Sequence, residues 1–298
     1  MSDSPAAAPA TRARSFTVVG VAYLVALVAA VAAVAFLPHV APVWRLLAAD
    51  VAATVAVFFV SMAVRNSSMY DPYWSVAPPF FVLFWAAAAA PGSVALRQVV
   101  VAMLVFAWGA RLTMNWGRGW HGLRHQDWRY ENLYTQSPLP NWLTSLLGIH
   151  LFPTVQVFLG ALALIPAVAT GTHPVGALDL LAGVVTAGAI VIETVADEQL
   201  HAFNRSKVPG DILATGLWRY SRHPNYFGEL GFWWGLWLFG IAADPGAWWW
   251  TLIGPVAMTG MFLFASIPML DQRSLERRPG YAEHMQRVST LVPWFPRA

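Results

Sequence analysis

The feature that most restricts this chain is a succession of long apolar runs separated by short polar clusters. A helix needs about 20 apolar residues to cross the hydrocarbon of a bilayer, and roughly eight stretches qualify as candidates. They are residues 16–37, 46–64, 74–90, 94–115, 146–170, 177–195, 226–241 and 248–270. The third and seventh are short, so seven crossings is the other count to consider. The expected fold is therefore all-α and polytopic, with the polar loops gathered into a cavity at one membrane face. Composition agrees. Only 11% of residues are charged and 57% are hydrophobic, against about 25% charged in a soluble domain. The 16 tryptophans, 17 phenylalanines and 8 tyrosines suit a protein with rings at the membrane interfaces. The first run follows a Ser/Ala/Pro leader with Arg12 and Arg14, and reads as a retained helix rather than a signal peptide. No internal repeat and no second, soluble domain is evident.

Several function classes drop out. With no cysteine, disulfides, thiol catalysis and thiolate metal sites are excluded. A net charge of +3 does not point to nucleic acid, because the basic residues sort into loops on one side of a membrane. With eight crossings and both termini inside, that side carries Arg12, Arg14, Arg65, Arg111, Arg118, Arg124, Arg129, Arg205, Lys207, Arg219, Arg222, Arg273, Arg277, Arg278, Arg287 and Arg297. The opposite side keeps Arg45 and Arg97. The positive-inside rule then makes the charge-rich loops and both termini cytoplasmic.

The polar clusters carry the functional signal. Between the second and third runs, Asn66, Tyr70, Asp71, Tyr73 and Trp74 crowd a short loop, with Asp71-Pro72 as a turn or helix start. The fourth run ends with Arg111 and Asn115, four residues apart and so on one helix face, followed by Arg118, Arg124 and Arg129. Arginine at that depth needs an acidic partner or a phosphate. Residues 131–143, with two prolines, read as an interfacial excursion. The richest stretch is 193–229. Glu193 and Asp197 share a face at the end of the sixth run, where unpaired carboxylates are costly and must meet arginine, amide or ligand groups. His201 follows at the same spacing, but the set lacks the regularity of common metal motifs, and no metal site is expected. No Gly-rich turn follows a strand, so a Rossmann domain is excluded. Next come Arg219, Arg222 and His223, then Pro224 at the first turn of a helix, then Asn225 and Glu229 one turn apart. Cations placed before a helix N-terminus form an anion-binding arrangement. A short amphipathic helix over 281–288 returns along the same face.

Three motifs carry a resemblance: LWRYSRHPNYFGE at 217–229, ETVAD at 193–197, and the tail RRPGYAEHMQRVSTLVPWFP at 277–296. Together they resemble the DUF1295 group of bacterial membrane proteins, within the wider steroid 5-alpha-reductase and isoprenylcysteine methyltransferase superfamily. The resemblance spans about 111–296 and is weak before residue 94, so residues 1–93 are expected as N-terminal transmembrane helices and 94–298 as a steroid-reductase-like domain. In the reductase branch it implies NADPH bound from the cytoplasmic side among the C-terminal helices, and a bacterial inner-membrane location. Asn225 and Glu229 match that branch's nicotinamide-binding asparagine and glutamate, Asp197 matches its aspartate, and Glu193 stands where the branch has asparagine. Arg111, Asn115, Asn204, Arg205, Lys207, Arg219, Arg222, His223, Tyr226, Arg278 and His284 complete the implied cofactor set. The substrate would be a hydrophobic molecule from the bilayer, reduced at an activated carbon–carbon double bond, with Tyr70, Tyr73 or Tyr134 as candidate acid. Departures fall on the substrate half: Ala110 replaces a histidine, Trp108 takes the approximate place of a tyrosine, and Asp271 lies near the place of another histidine. The superfamily also allows an S-adenosylmethionine-dependent lipid or isoprenoid methyltransferase, with the methyl donor near His223, Tyr226 and Glu229. A third reading is a non-enzymatic lipid- or tetrapyrrole-binding protein with histidines as axial ligands.

Overall fold

The computed structural model describes residues 12–297, and every regular element among them is helical. In order, these are α1 (Arg12–Phe36), α2 (Pro42–Val64), α3 (Tyr73–Ala87), α4 (Ala95–Gly119), α5 (Trp128–Gln136), α6 (Asn141–Thr170), α7 (Ala177–Ser206), α8 (Pro224–Ala243), α9 (Pro245–Arg277) and α10 (Tyr281–Arg287). Each of the eight expected apolar runs is a helix. Among the described residues, α1, α2, α4, α6, α7 and α9 are long and apolar enough to cross a membrane. The protein is thus an all-α polytopic membrane protein. The two runs that fall short are the two shortest of the sequence. α3 has 15 residues and two internal prolines. α8 has 20 residues but is diluted by Gly228, Gly231, Gly235 and Gly240 and by three tryptophans.

Two boundaries differ from the sequence reading. The helix expected to end at residue 195 continues to Ser206, because Glu193, Asp197 and His201 recur every fourth residue and so mark one face of a helix rather than its end. The expected excursion over 131–143 begins inside a helix, α5, whose N-cap is Asp127: its carboxylate accepts from the Arg129 backbone N–H at 2.8 Å.

The described chain divides into two compact units. The first holds the described residues to Ala77 and Leu112–Val155; the second holds Pro78–Arg111 and the described residues from Gln156 onward. In the first, α1 packs along α2, and Val19, Ala22, Met69 and Trp120 form a buried cluster bordered by Phe16, Tyr23 and Trp116. Leu24, Val28 and Phe59 remain exposed, as befits faces that meet lipid.

In the second unit, α7 and α8 lie in close contact through a small-residue stripe. A Cβ on Gly228 would come 2.6 Å from the Glu193 Cβ and 2.8 Å from both the Ala189 carbonyl and the Glu193 N, and one on Gly235 would overlap Thr186. Those obstacles are mostly backbone and cannot rotate away. Gly228→Ala is therefore expected to destabilise by about 1–3 kcal/mol and to displace Glu193. On α7, a Cβ at Gly188 meets nothing within 4 Å, so Gly188→Ala should leave stability unchanged or raise it by about 0.4–1 kcal/mol. Thermal unfolding of both variants in the same detergent checks the contrast.

One of the two basic residues expected opposite the charge-rich loops has an internal partner. Arg97 is completely buried and bidentate to Asp179, with Nε–Oδ1 at 2.6 Å and Nη2–Oδ2 at 3.0 Å. It forms an internal ion pair between α4 and α7.

Candidate functional site

The second unit gathers much of the polar stretch into one cluster. α4 supplies Trp108 and Arg111, α7 supplies Glu193 and Asp197, and α8 supplies Asn225, Glu229 and Trp233. The close α7–α8 contact brings the two carboxyl-bearing faces together. Arg111 bridges the α7 acids, with Nη2 2.6 Å from Glu193 Oε1 and Nη1 2.9 Å from Asp197 Oδ2. Asn225 Nδ2 donates to Asp197 Oδ1 at 3.3 Å. Glu229 accepts one indole N–H on each oxygen, from Trp108 at 2.8 Å and from Trp233 at 2.8 Å. Trp108 in turn stacks flat on Phe232, with ring centroids 4.3 Å apart. Glu193 and Glu229 interact with one another as neighbouring carboxyls.

Three acids thus stand against one guanidinium in a mostly buried setting, and two polar atoms there are unsatisfied. Arg111 Nε is a buried donor without an acceptor, and Glu193 Oε2 is a buried acceptor without a donor. Burying such groups unpaired costs about 1–3 kcal/mol each. A ligand that both accepts and donates hydrogen bonds would relieve them.

A second knot lies in the same unit. Asp271, on α9, takes Arg222 Nη2 at 2.9 Å on one oxygen, and His223 Nε2 at 3.1 Å and the Tyr281 hydroxyl at 2.7 Å on the other. Arg222 also donates to the Thr290 hydroxyl at 2.8 Å, while its Nε is buried without a partner. His223 stacks on Tyr226, centroids 5.5 Å apart. Burial, then the hydrogen bond to Asp271, pushes the Tyr281 phenol above its ordinary range. Burial and the neighbouring Arg222 charge hold the His284 imidazole below its ordinary range. Arg278 donates to Ser274 and sits over the Tyr281 ring. Asn204 and Arg205 occupy the exposed last turn of α7, with Lys207 Nζ donating to Asn204 at 2.7 Å. Arg219 is exposed over the Tyr220 ring.

The remaining candidates belong to the first unit. Asn115 lies one turn beyond Arg111 on α4. The Tyr70 hydroxyl is 2.5 Å from Thr154 Oγ1 and 3.3 Å from Thr54 Oγ1. Tyr73 donates to Asp50 Oδ1 at 2.7 Å and stacks on Tyr70 at 4.8 Å. Tyr134, half-buried, meets Ser67 Oγ at 2.9 Å, and Ser67 meets Ser145 at 3.1 Å. His150, fully buried, points Nδ1 at its own Ser145 carbonyl at 2.8 Å. A carbonyl only accepts, so that nitrogen carries the proton and Nε2 accepts from Ser61 at 3.2 Å. In the polar loop, Asn66 Nδ2 donates to the Leu123 and His125 carbonyls, and the Tyr130 hydroxyl donates to Asp71. Burial pushes the Asp71 carboxyl up to about 7, against the opposing pull of Arg129.

Sequence reasoning missed Trp233, Asp50, Thr54, His150 and Thr154. Trp233 had a readable signal, one helical turn from Glu229. The others had none, since isolated threonines, an aspartate and a histidine within apolar helices acquire meaning only when those helices pack.

A polytopic helical membrane protein with a buried acid–arginine–amide cluster is the class this architecture defines. The chain belongs to the DUF1295 family, described as proteins of unknown function, whose model matches residues 57–288. This is consistent at a general level with the steroid-reductase and isoprenylcysteine-methyltransferase superfamily, and it begins earlier in the chain than the three motifs. The chain is also 28% identical over 259 residues to an uncharacterized protein of Schizosaccharomyces pombe, covering 78% of this chain and 74% of that protein. No solved structure matches.

Proposed function

We propose that the protein is a membrane-embedded, NADPH-dependent reductase of an activated carbon–carbon double bond in a hydrophobic substrate, steroid-, prenyl- or lipid-like. The observation that carries this reading is the convergence of Arg111, Glu193, Asp197, Asn225 and Glu229, all in the cofactor set that the family resemblance implies, with Asn225 and Glu229 on the nicotinamide half. The unsatisfied Arg111 Nε and Glu193 Oε2 fit that group, because a carboxamide offers one acceptor and one donor together.

When bound, NADPH supplies the hydride. The chain's residues do the rest. Asp197 orients the Asn225 amide, and Arg111 offsets the α7 carboxylates. Trp108 and Trp233 fix the Glu229 carboxylate and exclude water from its rear. Arg205, Lys207 and Arg219 are exposed cations available to phosphates, and Asp271 holds the loop bearing Arg222 and His223. Tyr70, Tyr73 and Tyr134 are the candidate acids, each within a chain of hydroxyls or a carboxyl through which a spent proton can be replaced. In this reading the cofactor cavity opens to the cytoplasm, both termini are cytoplasmic, and residues 94–298 form the reductase-like domain.

The test is thermal stability of the purified protein titrated in parallel with NADPH and S-adenosylmethionine. A ligand of the native state stabilises it by about 2.7 kcal/mol at one hundred times its Kd. NADPH is expected to raise the unfolding temperature. A rise with S-adenosylmethionine alone overturns the reductase in favour of a methyltransferase. A visible absorption band of the purified protein would favour a tetrapyrrole-binding protein instead.

A further inference from the structure

The C-terminal segment ends in an aromatic tip that the candidate chemistry does not use. Val292, Trp294 and Phe295 are 58%, 70% and 75% exposed, outside any helix. Large apolar side chains in this pattern on a loop need a cover. Three exposed arginines surround them. Arg297 N–H donates to the Arg287 carbonyl at 2.8 Å, which brings two of these residues to the base of the tip. The third, Arg219, lies over the Tyr220 ring, which also meets Phe295 edge-on at 6.0 Å. Tryptophan with arginine is the composition of a membrane–water interface. The tip is hydrogen-bonded to the Tyr220–Arg222 segment, which leads directly into apolar α8.

The same segment is tied to the loop that bears Arg222. Trp294 N–H donates to the Tyr220 carbonyl at 2.9 Å, and Arg222 N–H donates to the Ser289 carbonyl at 2.9 Å. The Ser221 hydroxyl donates to the Leu291 carbonyl at 2.8 Å, and Arg222 Nη2 to the Thr290 hydroxyl at 2.8 Å. Whatever fixes the tip therefore fixes the loop.

We propose that residues 291–297 are an interfacial anchor that docks on the anionic headgroup layer of the bilayer and thereby holds the 219–223 loop in place. A second copy of the chain is a poorer occupant, since it would oppose the three arginines with the same three charges. Anionic headgroups attract them instead. The proposal stands whether or not NADPH is the cofactor.

The absence of cysteine makes the test direct. Phe295→Cys, with Val292→Cys as an independent second site, carries a polarity-sensitive fluorophore in the full chain reconstituted in nanodiscs. Leu24→Cys, on the exposed face of α1, is the lipid-embedded control. In phosphatidylcholine with phosphatidylglycerol, the label at 295 should emit to the blue and be quenched by headgroup-level spin-labelled lipid. Its access to aqueous iodide should fall about two-fold or more relative to phosphatidylcholine alone. Arg287→Gln with Arg297→Gln should abolish that difference. Hydrogen exchange across 219–223 should slow when phosphatidylglycerol is added. Equal iodide access in both lipids at both label sites overturns the anchor. Protection that follows protein concentration rather than lipid assigns the tip to a second copy. Unchanged exchange in 219–223 overturns the coupling to the loop.

Discussion

Arg111→Met is expected to destabilise the protein by about 3–5 kcal/mol, the cost of leaving buried charge without its partner. Arg111 bridges Glu193 and Asp197, and all three side chains are largely removed from solvent. Methionine keeps most of the volume and none of the charge, so the loss reports electrostatics rather than a cavity. Asp197 retains the Asn225 amide at 3.3 Å, but Glu193 loses its ion partner altogether. Arg111→Met with Glu193→Gln should therefore recover part of the loss, with a coupling of about 0.5–3 kcal/mol between the two sites. Unfolding followed in detergent for the two single variants and the double closes the cycle. Strict additivity would show that Arg111 and Glu193 do not act on each other. Arg111→Met should also lose any thermal response to NADPH, because it removes a donor on which the cofactor reading relies.

Arg97→Met should cost a similar amount, about 3–5 kcal/mol, for a different reason. Its partner Asp179 is nearly buried and serves twice: it receives both arms of the guanidinium and accepts the Gly176 backbone N–H at the start of α7 at 3.0 Å. Arg97→Met with Asp179→Leu removes both charges. It should restore most of the stability, less about 1 kcal/mol for the lost hydrogen bond from the Gly176 N–H to the Asp179 carboxylate. The second contrast lies in ligand response. Arg97 and Asp179 take no part in the candidate site, so Arg97→Met protein that remains folded should keep the wild-type NADPH shift. Loss of that shift would mean that the pair shapes the site as well as the fold.

These pairs show how far the sequence could be read. The apolar runs announced the helices, since few other structures satisfy their backbones inside hydrocarbon. The true end of α7 was hidden because hydropathy falls at Glu193 while helical periodicity continues through Asp197 and His201. The pairing of Arg111 with an acid of another helix, or with a phosphate, was an open expectation, and the acids Glu193 and Asp197 both meet it. The partner of Arg97 was not legible, because charge counting along the chain assigns a side of the membrane but cannot see an acid 82 residues away. The same limit hid the Trp108 indole on Glu229 and the meeting of Arg222, His223 and Tyr281 at Asp271. Spacing reports which residues share a face of one helix. Which faces meet depends on close approaches such as that of Gly228 to Glu193, and these arise only when the helices pack.

The most direct measurement is energy transfer to bound NADPH. Trp108 and Trp233 both donate hydrogen bonds to Glu229, within reach of any nicotinamide held there. Exciting tryptophan should give NADPH emission in the wild-type protein. That emission should vanish in Asn225→Ala with Glu229→Gln, while the folded fraction of the variant, followed by its unfolding transition, persists. Energy transfer that survives the double substitution unchanged, or none in the folded wild type at saturating NADPH, would contradict a nicotinamide site in this cluster.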